Sequence, residues 1–116
     1  MHENMNDNEL LFLINENDEI AFETLIKRYE TIINNVINKY KNKAINIGLE
    51  VKDLRQEGLV GLTTAVKTFS ETKEASFRTY ANILIERTIQ DLIKSHDRIK
   101  YRSLNSAISL DTFSEE

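Results

Sequence analysis

The chain has no cysteine, no proline and only three glycines in 116 residues. Without cysteine there can be no disulfide, no zinc finger and no thiol nucleophile. Tight turns draw on proline and glycine, so their scarcity argues against a turn-rich β fold. Abundant Ile, Leu, Asn, Glu and Lys argue instead for long helices, and an all-α fold is expected. No apolar run approaches the ~18 residues that a membrane helix needs. The opening MHENMNDNELL is too acidic and polar for a signal peptide, so the expectation is a cytoplasmic protein with no membrane partner. A chain of this length builds one domain, burying roughly two thirds of its unfolded surface.

Chemistry is equally scarce. Catalysis needs converging titratable groups, yet the histidines are His2, expected in a disordered terminus, and His96, read as a favourable charge at the negative end of a helix dipole. Gly58-x-x-Gly61 falls inside a helical pattern rather than in a strand-to-helix turn, so it is no phosphate loop. No catalytic residue, metal ligand or cofactor is assigned, and an enzyme is not expected.

The net charge of −4 conceals segregation. Residues 1–30 carry eight acids against Lys27 and Arg28, a net of −6. Residues 78–102 carry Arg78, Arg87, Lys94, Arg98, Lys100 and Arg102 against three acids, a net of +3. A polyanion would approach this last stretch.

Helical periodicity organises the rest. Asn6 or Asp7 can cap a short helix to about Ile14, followed by a polar break at Asn15–Asn17. Behind an Asp18 cap, Phe22, Leu25, Ile26, Tyr29, Ile32, Ile33, Val36, Ile37 and Tyr40 form a stripe that predicts one long amphipathic helix. After a break around Gly48, a second long helix carries Val51, Leu54, Gly58, Leu62, Ala65, Val66 and Phe69. Gly58 and Gly61 within it imply close packing against the first long helix or close approach of a partner. Ser76 can cap a third helix with a core stripe of Phe77, Ala81, Leu84, Ile85, Thr88, Ile89 and Leu92, ending near His96. The expected fold is two long antiparallel helices and this third one, with a short helix in front. Its divisions are 1–17, a helical domain over 18–98, and a basic-then-acidic tail over 99–116.

One polar cluster stands apart from the core stripes. Asp53, Gln56 and Glu57 fall at i, i+3 and i+4, on one helical face beside Leu54, Gly58 and Leu62. Such a face is either a solvated first turn whose acids suit the helix dipole or a docking surface for cationic groups.

The run DLRQEGLVGLTTAVKTF followed by SFRTYANILIERTIQDLI resembles region two of bacterial RNA polymerase sigma factors. The ending SLNSAISLD looks most like the stationary-phase and sporulation sigma-H type. This likeness spans about Glu19 to Asp111. It implies that Asp53, Gln56 and Glu57 dock on the clamp coiled coil of the largest subunit of core RNA polymerase. It further implies that the third helix and the loop before it recognise and melt the promoter minus-ten element, capturing non-template-strand bases. Phe69, Lys73, Phe77, Thr79, Tyr80, Ile83 and Arg87 would line that path, with Gln90, Lys94 and Arg98 continuing it. Thr79, Ile83, Arg87, Gln90 and Lys94 share one helix face, and apolar or aromatic groups beside cations suit single-stranded DNA. Phe77 and part of Phe69 are expected in the core, Tyr80 and Arg87 at the surface. Lys39, Tyr40, Lys41 and Lys43 are open to two readings, solvated surface or polymerase and DNA contacts. An anti-sigma factor is a further partner the likeness allows.

Departures matter too. Ile83 and Leu84 stand where the housekeeping pattern has paired tryptophans, Glu71 and Ala75 replace two loop aromatics, and Lys52 and Leu59 differ beside the docking cluster. Lost stacking, ~1 to 3 kcal/mol per base, implies weaker strand opening or a stricter promoter. The function implied is that of an alternative sigma factor or its isolated second domain. The rival is a sigma-like decoy that binds polymerase without using DNA. Sigma factors of this type carry a further C-terminal DNA-binding domain, and its absence from the sequence suggests truncation.

Overall fold

A computed structural model describes residues 2–71 and 75–105, and every described secondary-structure element is a helix. α1 spans Asp7–Asn15. Asn6 caps it by accepting from the Glu9 N–H at 2.8 Å, while the Glu9 carboxylate accepts from the Asn6 N–H at 2.9 Å. This reciprocal capping box satisfies two donors that the first turn would otherwise leave open. The chain then reverses through Asn17, at φ 68, a left-handed conformation that asparagine tolerates. Asp18 starts α2, Glu19–Arg28, by accepting from the N–H groups of Ile20 and Ala21. His2 is not loose: its Nε2 lies 3.1 Å from the Asp18 carboxylate.

The stripe expected to form one helix is split at Tyr29, where α2 gives way to α3, Glu30–Asn46. Tyr29 sits at φ −97 and ψ 4 and is fully buried. Its hydroxyl donates to the Asp7 carboxylate, its ring meets Phe77 edge-on at 5.6 Å, and Arg78 lies 5.3 Å from the ring centroid. The bend drives this residue into the core. Neither proline nor glycine marks it, and the three- and four-residue spacing of the apolar positions runs straight across it.

A turn through Gly48, at φ 98, leads to α4, Val51–Thr68. Its start is secured by the Asp53 carboxylate, which accepts from the Glu50 N–H at 2.8 Å. The two glycines of α4 then meet different neighbours. A β-carbon at Gly58 would lie 2.9 Å from Ile33 Cγ2, so this glycine does face α3. At Gly61 it would lie 2.9 Å from both the Ile85 Cα and the Leu84 carbonyl oxygen. There α4 touches the backbone of the last helix, the partner that periodicity could not name.

That helix, α5, runs over Phe77–Asn105, with the Ser76 hydroxyl accepting from the Thr79 N–H. Phe77, Ala81, Ile85, Ile89 and Ile93 are buried, and the expected core members Leu84, Thr88 and Leu92 are half-buried. α4 and α5 run antiparallel, Phe69 meeting Phe77 at one end and Gly58 nearing Ile89 further along. The helix does not stop at His96. Nothing after it breaks a helix, and the apolar period fades because α5 continues past the body, leaving Ile99 and Tyr101 exposed. His96 is therefore a half-buried mid-helix residue, 3.5 Å from where a β-carbon on Gly48 would sit, and not a terminal charge. Residues 106–116, which include the acidic end of the expected tail, lie outside the described residues. Among the described residues no helix is long and apolar enough to cross a membrane.

Candidate binding faces

α4 presents the first face. Gln56 is exposed, and Asp53 and Glu57 are half-buried at the edge of the same strip. Asp53 has a structural task as well, since its carboxylate holds the Glu50 N–H. Of the two readings of this residue, the structure shows the one at the helix start. Val60, one turn on and 47% exposed, extends the strip with an apolar patch. Sequence reasoning missed it, because a valine in an amphipathic helix is normally assigned to the core.

α5 presents the second face. Thr79, Arg87, Lys94 and Arg98 are exposed, Ile83 is 47% exposed between them, and Gln90 is half-buried at the strip's edge. Among the described residues no ion pair engages Arg87, Lys94 or Arg98. Cations without acid partners beside an exposed apolar side chain suit a phosphate backbone with unstacked bases.

The aromatic end of this path is more enclosed than expected. Phe69 is half-buried, edge-on to Phe77 at 5.3 Å and tilted against Tyr80 at 5.5 Å. Phe77 is core, as expected. Tyr80, expected at the surface, is half-buried, and its hydroxyl shares a 2.6 Å hydrogen bond with that of Thr68. The correction follows from α4 and α5 lying side by side, which puts Thr68 within reach. Lys73 lies outside the described residues.

Tertiary packing adds neighbours that the sequence did not join. A groove of about 480 Å³ between α3 and α5 brings Ile32, Asn35 and Lys39 beside Arg78, Thr79, Asn82 and Ile83. A second cleft, of about 530 Å³, sets Asn6 and Asn8 at the start of α1 against Phe69, Ser76 and Arg78. Neither α1 nor its asparagines carried a signal of this contact, because the register of α1 and α3 on α5 is a tertiary fact. Along the first groove Lys39 Nζ binds the Glu86 carboxylate at 2.7 Å, and the Tyr40 hydroxyl donates to the same oxygen at 2.6 Å. Gln90 Nε2 in turn donates to the Tyr40 hydroxyl at 2.6 Å. The Lys39 bond, then that of Tyr40, pulls the Glu86 carboxyl below its ordinary value, and the same bond raises Lys39. Lys39, which stays exposed, and Tyr40 thus brace α3 on α5, a role that neither open reading named.

These features define an all-helical module with an acidic strip on α4 and a cationic one on α5; among the described residues no group of acids or histidines could hold a metal ion. The sigma-70 region 2 family model matches residues 25–99, and the chain belongs to that family. It is similar to an RNA polymerase sigma-H factor of Bacillus licheniformis, 32% identical over 107 residues that cover 92% of this chain and 46% of the relative. It is also similar to an RNA polymerase sigma-H factor of Bacillus subtilis, 32% identical over 114 residues, 97% of this chain and 50% of the relative. An RNA polymerase sigma-C factor of Nostoc is 40% identical over 76 residues, 66% of this chain and 17% of the relative. The chain thus spans about half the length of the two sigma-H relatives. No solved structure matches it significantly.

Proposed function

We propose that this chain acts in transcription initiation as an alternative sigma factor, or as the second domain of one. It would bind core RNA polymerase through Asp53, Gln56 and Glu57, with Val60 as an apolar contact. It would use Phe69, Lys73, Thr79, Tyr80, Ile83, Arg87, Gln90, Lys94 and Arg98 to recognise and help open the promoter minus-ten element, performing no chemistry of its own. The observation that carries the reading is the presence of an acidic strip on α4 and a cationic strip on α5 in one antiparallel helix pair. Carboxylates near the start of α4 can take charge-assisted bonds from arginines on a partner helix, where partial desolvation strengthens them. The α5 strip instead offers unpaired cations beside Ile83, the requirement for holding phosphates while a base is drawn from the stack.

Two substitutions test the two halves. Glu57→Lys should abolish capture by core polymerase while circular dichroism stays helical; retained capture would sink the docking role. Ile83→Ala with Arg87→Ala should weaken binding of a single-stranded minus-ten oligonucleotide by about tenfold or more in the presence of core polymerase. Unchanged oligonucleotide binding would favour the decoy reading, for which the lost tryptophans and the enclosed Tyr80 already supply a motive.

A further inference from the structure

We propose that Tyr40 and Glu86 are positioning residues that fix which end of the Gln90 amide faces a nucleic-acid base. The inference rests on reading α5 as the nucleic-acid face, and it follows from hydrogen-bond polarity. An ionised carboxylate can only accept, and a tyrosine hydroxyl has one proton to give. Lys39 Nζ, 2.7 Å from the Glu86 carboxylate, holds that group in its acceptor form. The Tyr40 proton therefore goes to Glu86, 2.6 Å away, and the hydroxyl oxygen is left as an acceptor. Only the nitrogen end of Gln90 can satisfy it, and Nε2 does so at 2.6 Å. The Gln90 carbonyl oxygen and the second Nε2 proton then remain for a partner, in a fixed order along the amide.

A freely turning glutamine can present either a donor or an acceptor. Latched in this way, Gln90 presents its carbonyl and one N–H in a fixed order, whose complement in the major groove is the N6 amine and N7 acceptor of adenine. Guanine O6 and N7 are both acceptors, so one of them would face the carbonyl unfavourably. The latch thus makes Gln90 selective for adenine over guanine at one position. It lies on α3 and α5 together, so the reading helix alone cannot supply it.

The test is base preference, which loss of general stability would not alter at a single position. A pool of randomised double-stranded DNA is selected with the chain bound to bacterial core RNA polymerase, and preferences are compared among the parent, Tyr40→Phe, Glu86→Gln and Gln90→Ala. The parent should favour adenine over guanine at one position by about tenfold. Tyr40→Phe and Glu86→Gln should reduce that preference below about threefold and leave other positions unchanged. If Gln90→Ala removes the preference while Tyr40→Phe keeps it, the latch is overturned and the function proposed above stands. If Gln90→Ala keeps the preference, Gln90 is no reader and the inference fails. A parent that enriches no position overturns the proposed function itself.

Discussion

α4 and α5 share one seam and present opposite chemistries. The acids of α4 sit within its first two turns, where the positive end of the helix dipole favours them. The cations of α5 are spread from Arg87 to Arg98 on a helix of 29 residues, roughly 43 Å at 1.5 Å per residue. A compact cluster suits a fixed contact with another protein, and a drawn-out strip suits a polyanion whose charges repeat. Both depend on the same packing, because neither face keeps its aim if α4 and α5 part.

The strongest way to break the comparison is therefore at the seam. Gly61→Ala would place a methyl 2.9 Å from the Ile85 Cα and the Leu84 carbonyl, which are backbone and cannot step aside. We expect a net loss of about 1–3 kcal/mol despite alanine's better helix propensity, seen as a lower urea midpoint. Gly58→Ala comes too close to the Ile33 Cγ2 methyl alone, a side-chain end that can turn, so its effect should stay within about 1 kcal/mol. Equal effects at the two glycines would mean that the α4–α5 contact is not the rigid one.

A finer cut separates structure from docking within α4. Asp53→Ala removes the acceptor for the Glu50 N–H and should cost about 1 kcal/mol of stability, whereas Glu57→Ala should stay within about 0.5 kcal/mol. Both should weaken core polymerase binding. If Glu57→Ala leaves binding intact while Asp53→Ala weakens it, the acids serve the helix and not a partner.

How much of this was legible beforehand depends on whether the signal was local. The caps at Asn6, Asp18 and Ser76 and the breaks at Asn15–Asn17 and Gly48 are short-range chemistry, and they stand in the structure where the residues placed them. The bend at Tyr29 was invisible, because it is accompanied by a part-buried hydroxyl bond to Asp7, 22 residues earlier, and by no breaker residue. The run of α5 past His96 was hidden for the opposite reason: a helix with nothing to pack against shows no apolar period. At the faces, the exposure of Arg87 and Lys94 followed from periodicity. The tethering of Tyr80 to Thr68 and of Gln90 to Tyr40 did not, since each needs the register of two helices.

The smallest expected effect concerns the brace that holds α5 on α3, and it is read by pH. In the folded chain the Glu86 carboxyl lies below its ordinary value of 4.5, first because of the bond from Lys39 and then that from Tyr40. A depressed carboxyl contributes stability that is complete above the unfolded value and is lost as pH falls through the folded one, because the unfolded chain then binds the proton more readily. Glu86→Gln should therefore lower the urea midpoint slightly at pH 7, and the gap between parent and variant should close as pH is taken from about 5 to below the folded value. Asp18, whose carboxyl is lowered chiefly by the Ala21 N–H, titrates nearby in both proteins and cancels in that difference. A gap that stays constant from pH 7 to 3 would show that Glu86 braces α5 by shape and hydrogen bonding alone. The charge of Lys39 would then have no part in aiming the cationic strip, and that strip's orientation would rest on the α4 seam.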